Sequence, residues 1–373
     1  MDHGGGAPQG SPARMTALKR KLIARIAAAG PMSVAEYFAA CLLDPADGYY
    51  TTREPFGREG DFITAPEISQ MFGELLAVWA FRNWDAMGRP APFVFAEIGP
   101  GRGTLMADMA RTLARIEGGA FLAAAKVFMI EASPRLANVQ REHLAGSPVN
   151  PDWISGIDAL PALPLILIGN ELFDAIPIRQ FVHTGSQWRE RMVTVAPDGD
   201  TLAFAIGAPT LDDTGPHGAG APAAEGAIRE VSPARAALME MIAATIAASG
   251  GAGLFIDYGF GTPGLGDTLQ AVKDHAFDPV LEHPGEADLT SHVDFAALDA
   301  VARAGGLMSR FTTQGAFLLG LGLLERAGAL GAGKDAATQE AIRSQAERLA
   351  GAGGMGELFK VLALGPEQTL WTP

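Results

Sequence analysis

The chain has 373 residues, 48% of them hydrophobic, and a formal net charge of −14. That length and apolar content suffice for a large buried core, while the acidic balance argues against a nucleic-acid surface, which needs clustered Lys and Arg. The single cysteine, Cys41, excludes a disulfide framework and a cysteine zinc site, and it suits a reducing compartment.

Residues 1–14, MDHGGGAPQGSPAR, read as a disordered tail without the apolar core of a signal peptide and with little likeness to a transit peptide, so the expected location is the cytoplasm. Residues 15–29 and 33–43 have amphipathic helical spacing, and Ser33 with Glu36 makes a capping box. Residues 44–66 are rich in turn formers, and helical spacing returns from Ser69 to Trp84. From residue 93 the pattern alternates: FVFAEIG precedes a helix at Leu105–Ile116, KVFMIE precedes one at Pro134–Leu144, and LPLILIGNE is a further strand. After an interruption, Ser232 caps a helix with Pro233 in its first turn, and AGLFIDYG is the next strand. Apolar strands alternating with helices predict a parallel sheet covered on both faces. The interruption at 178–228 predicts a hairpin of IRQFVHT with WRERMVTV, then a Gly/Pro/Ala-rich loop at 205–227 expected to be mobile. A helix near 294–304, a strand near 307–312, helices to about 350 and the strand ELFKVLALG complete the chain. The longest apolar stretch, GAFLLGLGLLERAGALGAG, is broken by Glu325 and Arg326 and predicts no membrane span. The domain reading is a tail (1–14), an N-terminal helical segment covering the site (15–90), an α/β core (91–312) carrying the insertion, and a C-terminal helical lobe with a closing strand (313–373).

The first strand runs into Glu97-Ile98-Gly99-Pro100-Gly101-Arg102-Gly103. Glycines there turn the chain sharply and bring its backbone against a ligand. The spacing is G-x-G-x-G, whereas the dinucleotide fingerprint needs a third glycine where Thr104 stands. A plain structural turn is the alternative. Two acids sharpen the reading. Glu131, at the end of the next strand, suits the hydroxyls of a ribose in either a nicotinamide cofactor or S-adenosyl-L-methionine. Glu97 separates the two, because a carboxylate there repels a pyrophosphate but suits ammonium and sulfonium charges. Glu97, Gly99, Gly101, Gly103 and Glu131 are therefore the candidate cofactor residues; for Glu131 a surface strand-end acid is the alternative. No Walker lysine follows the glycines, and no G-x-S-x-G elbow is present.

The blocks EIGPGRGTL, IEASPRL, GNELFDAIPIRQF, EVSP, FIDYG and GEADLTSHVDF occur in that order, after REGDFITAPEISQMFGELLAVW. Together, over about residues 17–364, they resemble the MidA-like family of class I S-adenosyl-L-methionine-dependent methyltransferases. The resemblance implies an α/β fold: a Rossmann-like class I sheet with an added helical lobe and an inserted hairpin. It implies S-adenosyl-L-methionine as cofactor, and methyl transfer to a protein arginine on a subunit of the NADH:quinone oxidoreductase (complex I) in support of its assembly. It implies too that the stretch before the sheet helps form the site, with Thr64, Glu67 and Gln70 facing the cofactor; the residues alone read equally well as a linker and a capped helix. The 205–227 loop departs from the family.

The fourth strand delivers Asn170, Glu171 and Asp174 at its carboxyl end, the edge where open α/β sheets bind ligands. Methyl transfer to a guanidine needs a carboxylate that aligns the nitrogen and attracts the cation. Glu171 and Asp174 are the candidates, with Asn170 beside them; alternatively Asp174 caps the turn before Pro177 and Glu171 is solvated. Asp257 and Tyr258 end the fifth strand at the same edge. Asp288, Thr290 and His292 lie in a polar loop before a helix capped by Asp294 or Ser291. These five are candidate substrate residues, packing being the other reading for Tyr258 and His292. His275, Asp278 and His283 match no standard ligand set, so no metal is expected. Two other classes stay open: a nicotinamide-dependent oxidoreductase, against which Glu97 and the misplaced third glycine count, and a non-catalytic assembly chaperone that keeps the fold.

Overall fold

Besides the two-residue strand Val293–Asp294, which pairs with Gly259 and Phe260, seven strands build the eight-stranded central sheet of the computed structural model, which describes residues 15–53, 64–211 and 223–373. They are β1 (Phe93–Ile98), β2 (Ala125–Ile130), β3 (Asp152–Ile154), β4 (Leu165–Asn170), β5 (Gly251–Phe260), β6 (Met308–Thr313) and β7 (Phe359–Gly365), in the spatial order β6-β7-β5-β4-β1-β2-β3. The pairs β1–β2, β2–β3, β1–β4 and β4–β5 are parallel, and β7 runs antiparallel to both of its neighbours. The chain leaves β1 toward β2 and β3, then returns to place β4 and β5 on the other side. That reversal opens a crevice at the carboxyl ends of β1 and β4.

Both faces of the sheet are covered, which is why its strands read as apolar runs rather than alternating ones. Seven helices concern the argument: α1 (Ala17–Ala29), α2 (Val34–Leu43), α3 (Gln70–Ala86), α4 (Thr104–Leu113), α5 (Pro134–His143), α6 (Pro233–Ser249) and α7 (Phe295–Ala304). Phe93, Phe95, Ile166, Ile168 and Leu254 point into one core with Phe72 and Trp79 of α3, Met106 and Met109 of α4, and Leu349 from the C-terminal helices. Val94, Ala96, Leu165, Leu167 and Phe255 point the other way, onto Met239, Ile242 and Ile246 of α6 and Leu298 of α7. Consecutive strand residues thus serve opposite cores, as the two-residue period requires. A third core joins Leu18, Leu22, Tyr37 and Phe38 of α1 and α2 to Ile178, Val193, Ala271 and Leu289.

The hairpin expected in the insertion is present, with Phe181 opposite Glu190 and His183 opposite Trp188. It belongs to a five-stranded antiparallel sheet with Met32–Ser33, Leu202–Leu211 and Ile228–Val231. The start of the supposed mobile loop is therefore strand: Ala205 pairs with Met192 and Ile206 with Arg191. Residues 212–222, and the expected tail at 1–14, lie outside the described residues. The polar loop expected around 288–292 is also corrected. Asp288–Thr290 is a buried strand, paired with Gln270–Lys273, which in turn pairs with Ala276–Asp278. Asp274 and His275 turn that hairpin, both at positive φ (+52° and +61°), as a type I′ turn requires. The expected boundary at 312 also shifts, because the closing strand β7 lies between β5 and β6, inside the core sheet. The expected N-terminal segment divides, α1 and α2 packing in the third core and α3 against the central sheet.

Candidate active site

At the crevice the chain passes from β1 to α4 through three glycines in left-handed backbone, Gly99 (φ +65°), Gly101 (+53°) and Gly103 (+83°). A Cβ on Gly99 would stand 2.9 Å from Leu172 Cδ1 and force that side chain to shift, and the left-handed backbone itself disfavours any side chain there. Glu97 lies beneath it, 3% exposed. Burial pushes its carboxyl up to about 8, offset in part by the Met106 N–H in the first turn of α4. Its Oε2 has no protein partner. A buried carboxylate with an idle oxygen calls for a cationic donor.

One step along the edge, Glu131 follows β2. Its Oε1 accepts from the Ser133 N–H at 2.7 Å and its Oε2 from Gln140 Nε2 at 3.0 Å. Burial raises its carboxyl above the usual range, and these two bonds pull it back.

Beyond β4 stands Glu171, at φ +51°, a conformation uncommon for a residue with a Cβ and characteristic of functional turns. Its N–H donates to the Ile256 carbonyl at 2.8 Å, and its Oε1 accepts from Asn170 Nδ2 at 3.0 Å and the Ala65 N–H at 3.4 Å. Burial and then the neighbouring Asp174 carboxylate push the Glu171 carboxyl up to about 8. Asn170 keeps its buried Oδ1 without a partner. Thr64, Glu67, Glu97, Gly99, Gly101, Asn170 and Glu171 line one open cleft. Thr64 and Glu67 thus reach the cleft, whereas Gln70 does not: its amide donates to Glu74, one turn along α3, at 3.1 Å.

Asp174 sits behind this cleft, 6% exposed, with Oδ1 unpartnered. Burial raises its carboxyl; the Arg235 charge and then the Tyr258 hydroxyl oppose that. Tyr258 is itself 6% exposed and its phenol is pushed well above the usual range, by burial first and then by Asp174 and Asp257. Tyr50 is desolvated beside the same group, near Asp288 and Asp174. Gln270 Nε2 donates to Thr290 Oγ1 at 3.2 Å nearby. Asp174, Tyr258, Asp288 and Thr290 are therefore gathered into one buried polar cluster.

Asp257 has a different position. Its Oδ2 accepts the N–H groups of Phe173 (2.9 Å) and Asp174 (3.1 Å), and its Oδ1 accepts that of Tyr258 (2.9 Å). It shapes the turn that carries Asp174. His292 meets the edge of the Tyr258 ring, centroids 5.4 Å apart, and burial lowers its pKa. It lines a separate cavity of about 280 Å³ with Phe260, Leu298 and Val301, away from the glycine turn. His283 Nδ1 bonds Asp278 at 2.9 Å, and among the described residues no three His, Cys, Asp or Glu side chains gather as a metal site. No helix among those residues is long and apolar enough to cross a membrane.

Sequence reasoning missed Arg235 and Gln140, both buried polar residues on helices that read as ordinary amphipathic segments. Arg235 donates to the carbonyls of Asp174, Ile176, Ser291 and His292 and to Ser291 Oγ. Gln140 bonds Glu131 and the glycine turn together.

A buried acid below the glycines that suits a cation, a second acid one strand away that suits ribose hydroxyls, and the Glu67 and Glu171 carboxyls on the cleft wall fit an amino-acid-bearing nucleoside better than a pyrophosphate. Known proteins agree. A family model described as "Putative S-adenosyl-L-methionine-dependent methyltransferase" matches residues 75–312. The Homo sapiens protein named "Protein arginine methyltransferase NDUFAF7, mitochondrial" is 34% identical, over 98% of this chain and 87% of its own length. Its Danio rerio counterpart is 33% identical over 92% of this chain and 86% of its own. A Burkholderia thailandensis protein, solved with S-adenosyl-homocysteine bound, shares 29% identity and a TM-score of 0.80, over 94% of this chain and 92% of its own.

Proposed function

The chain belongs to the S-adenosyl-L-methionine-dependent methyltransferase family, and from that premise we propose that its methyl acceptor is an arginine of a protein. The observation that carries this reading is the pair of neighbouring carboxylates, Glu171 half-buried in the cleft and Asp174 buried behind it. A guanidinium is planar, cationic and rich in donors, and carboxylates grip it bidentately. The name of the human relative supports the same acceptor. The finer proposal, a subunit of the NADH:quinone oxidoreductase methylated during assembly, rests on the motif blocks shared with the MidA-like family. Our reading of its location is the cytoplasm, although the relatives are named mitochondrial.

S-adenosyl-L-methionine supplies the methyl group. Glu97 holds the ammonium end through its idle Oε2, the Gly99–Gly103 turn approaches with bare backbone, and Glu131 takes the ribose hydroxyls. Thr64 and Glu67 close the cleft from the N-terminal side. Glu171 orients one guanidinium nitrogen toward the cleft. An arginine pKa exceeds about 12, so a proton must leave around the time of transfer. Asp174 Oδ1, buried and idle, receives it, with the Tyr258 hydroxyl at its side.

The test is single-turnover transfer from labelled S-adenosyl-L-methionine to the protein acceptor. Glu171→Gln is expected to cut it at least a hundredfold, about 2.7 kcal/mol of barrier, while S-adenosyl-homocysteine still binds. Asp174→Asn should lose as much or somewhat less. Near-normal transfer by both variants would remove these acids from the mechanism.

A further inference from the structure

Gln140 is 0% exposed, although it lies on a helix otherwise rich in polar residues. Its Nε2 donates to the Gly101 carbonyl at 2.9 Å and to Glu131 Oε2 at 3.0 Å, and its Oε1 accepts from the Trp153 indole at 2.9 Å. An indole N–H only donates, so it can face only the carbonyl end of the amide. Trp153 thereby fixes which way Gln140 points. The opposite orientation would set the amide oxygen against a carboxylate and a backbone carbonyl, and it would set the NH₂ against another donor.

We propose that Gln140, locked by Trp153, is a positioning residue for the ribose end of the cofactor. The proposal rests on the reading that Glu131 holds the ribose hydroxyls. One Glu131 oxygen accepts from the Ser133 N–H and the other from Gln140, with the Ala132 N–H also bonded to the carboxylate; these donors fix its plane, and its remaining acceptor capacity is what a vicinal diol would use. The same amide holds the Gly101 carbonyl, so one side chain sets the distance between the ribose acid and the glycine turn. The side chain must be neutral and must donate twice: Glu would add an anion beside Glu131, and Met would donate nothing.

Calorimetric titration with S-adenosyl-homocysteine and with its 2′,3′-dideoxyribose counterpart tests this. The natural protein should prefer the diol roughly 10–100-fold, as expected when hydrogen bonds to a charged group are lost. Gln140→Met, close in volume, should cut that preference by about tenfold, with a smaller loss for the dideoxy ligand through the released Gly101 carbonyl. Trp153→Phe leaves Gln140 in place but unlocked, should also cut the preference, and serves where Gln140→Met does not fold. No preference in the natural protein would overturn the ribose reading and this proposal with it. A preference that persists unchanged in both variants would overturn the positioning role alone. So would an equal loss for both ligands, because that is the mark of a merely structural residue.

Discussion

Burial holds the Glu97 carboxyl at about 8, and the one donor that opposes this, the Met106 N–H, does not restore the usual range. Below that pH the free site carries a proton; a cation seated beside Glu97 favours the carboxylate and expels it. The sign follows: affinity for S-adenosyl-homocysteine, whose ammonium is cationic, should rise with pH by up to about tenfold per unit toward 8 and level off above it. Titrations from about pH 6 to 9, in buffers of different ionisation enthalpy, read both the slope and the released proton. Glu97→Gln should flatten the slope, leaving only what Glu171, also at about 8, contributes. An unchanged slope would move the ammonium away from Glu97. This acid and its glycines were legible in the sequence because a strand end fixes where the next few residues must lie. Gln140 and Arg235 were not, because helical spacing shows which residues share a face but not that a polar one turns inward to meet a distant loop. His292 serves two surroundings that no local pattern records: its ring meets Tyr258, and it also lines the separate cavity.

Helix α6 does more than cover the sheet. Arg235, one turn past the Ser232 cap, reaches from it to bolt the turn after β4 to the segment after Thr290. Its acceptors are backbone carbonyls and one hydroxyl, so the conformation of both segments depends on a single buried cation near Asp257 and Asp174. Removing it strands those acids and takes a donor from four carbonyls, of which that of Asp174 keeps the Ser291 N–H. Arg235→Met is therefore expected to cost about 3–5 kcal/mol in denaturant unfolding, the usual penalty for leaving one side of a buried charge group unpaired. A loss under about 1 kcal/mol would show that water replaces the guanidinium without strain. The long parallel strands were legible as apolar runs, whereas the three-stranded sheet beside Arg235 was not. Asp288–Thr290 is three residues long and two of them are polar. Its burial comes from pairing with Gln270–Lys273, some twenty residues earlier, and no local periodicity records that. Its hairpin turn, Asp274-His275, lacks the glycine that usually marks a type I′ turn.

At the scale of the whole molecule, every candidate site residue precedes residue 293, yet the sheet that positions them is finished by the last strand. Leu362 of β7 stands between Phe255 of β5 and Phe311 of β6, and Val361 and Leu362 enter opposite cores. The segment after β7 returns to α3, where Asn83 Oδ1 accepts the Trp371 N–H at 2.9 Å and its Nδ2 donates to the Trp371 carbonyl at 3.1 Å. Arg326 grips Glu74 of the same helix through two N–H groups, at 2.6 and 2.7 Å. The helix that carries the cleft's N-terminal wall into the core is thus held from the C-terminal part of the chain at two points. A sequence boundary at 312 looked natural because the composition turns helical there, but strand pairing ignores chain order. Deleting residues 359–373 should consequently abolish S-adenosyl-homocysteine binding and cooperative unfolding together, although no candidate ligand residue is removed. Removing β7 bares one edge of β5 and the apolar inner faces of two cores, a loss far above the roughly 5–15 kcal/mol that holds a domain folded. Circular dichroism melts and calorimetry on the truncated chain measure both outcomes. A truncated protein that melts cooperatively and still binds the ligand would mean that β1 to β5 fold as an autonomous unit, with β7 as an accessory to it.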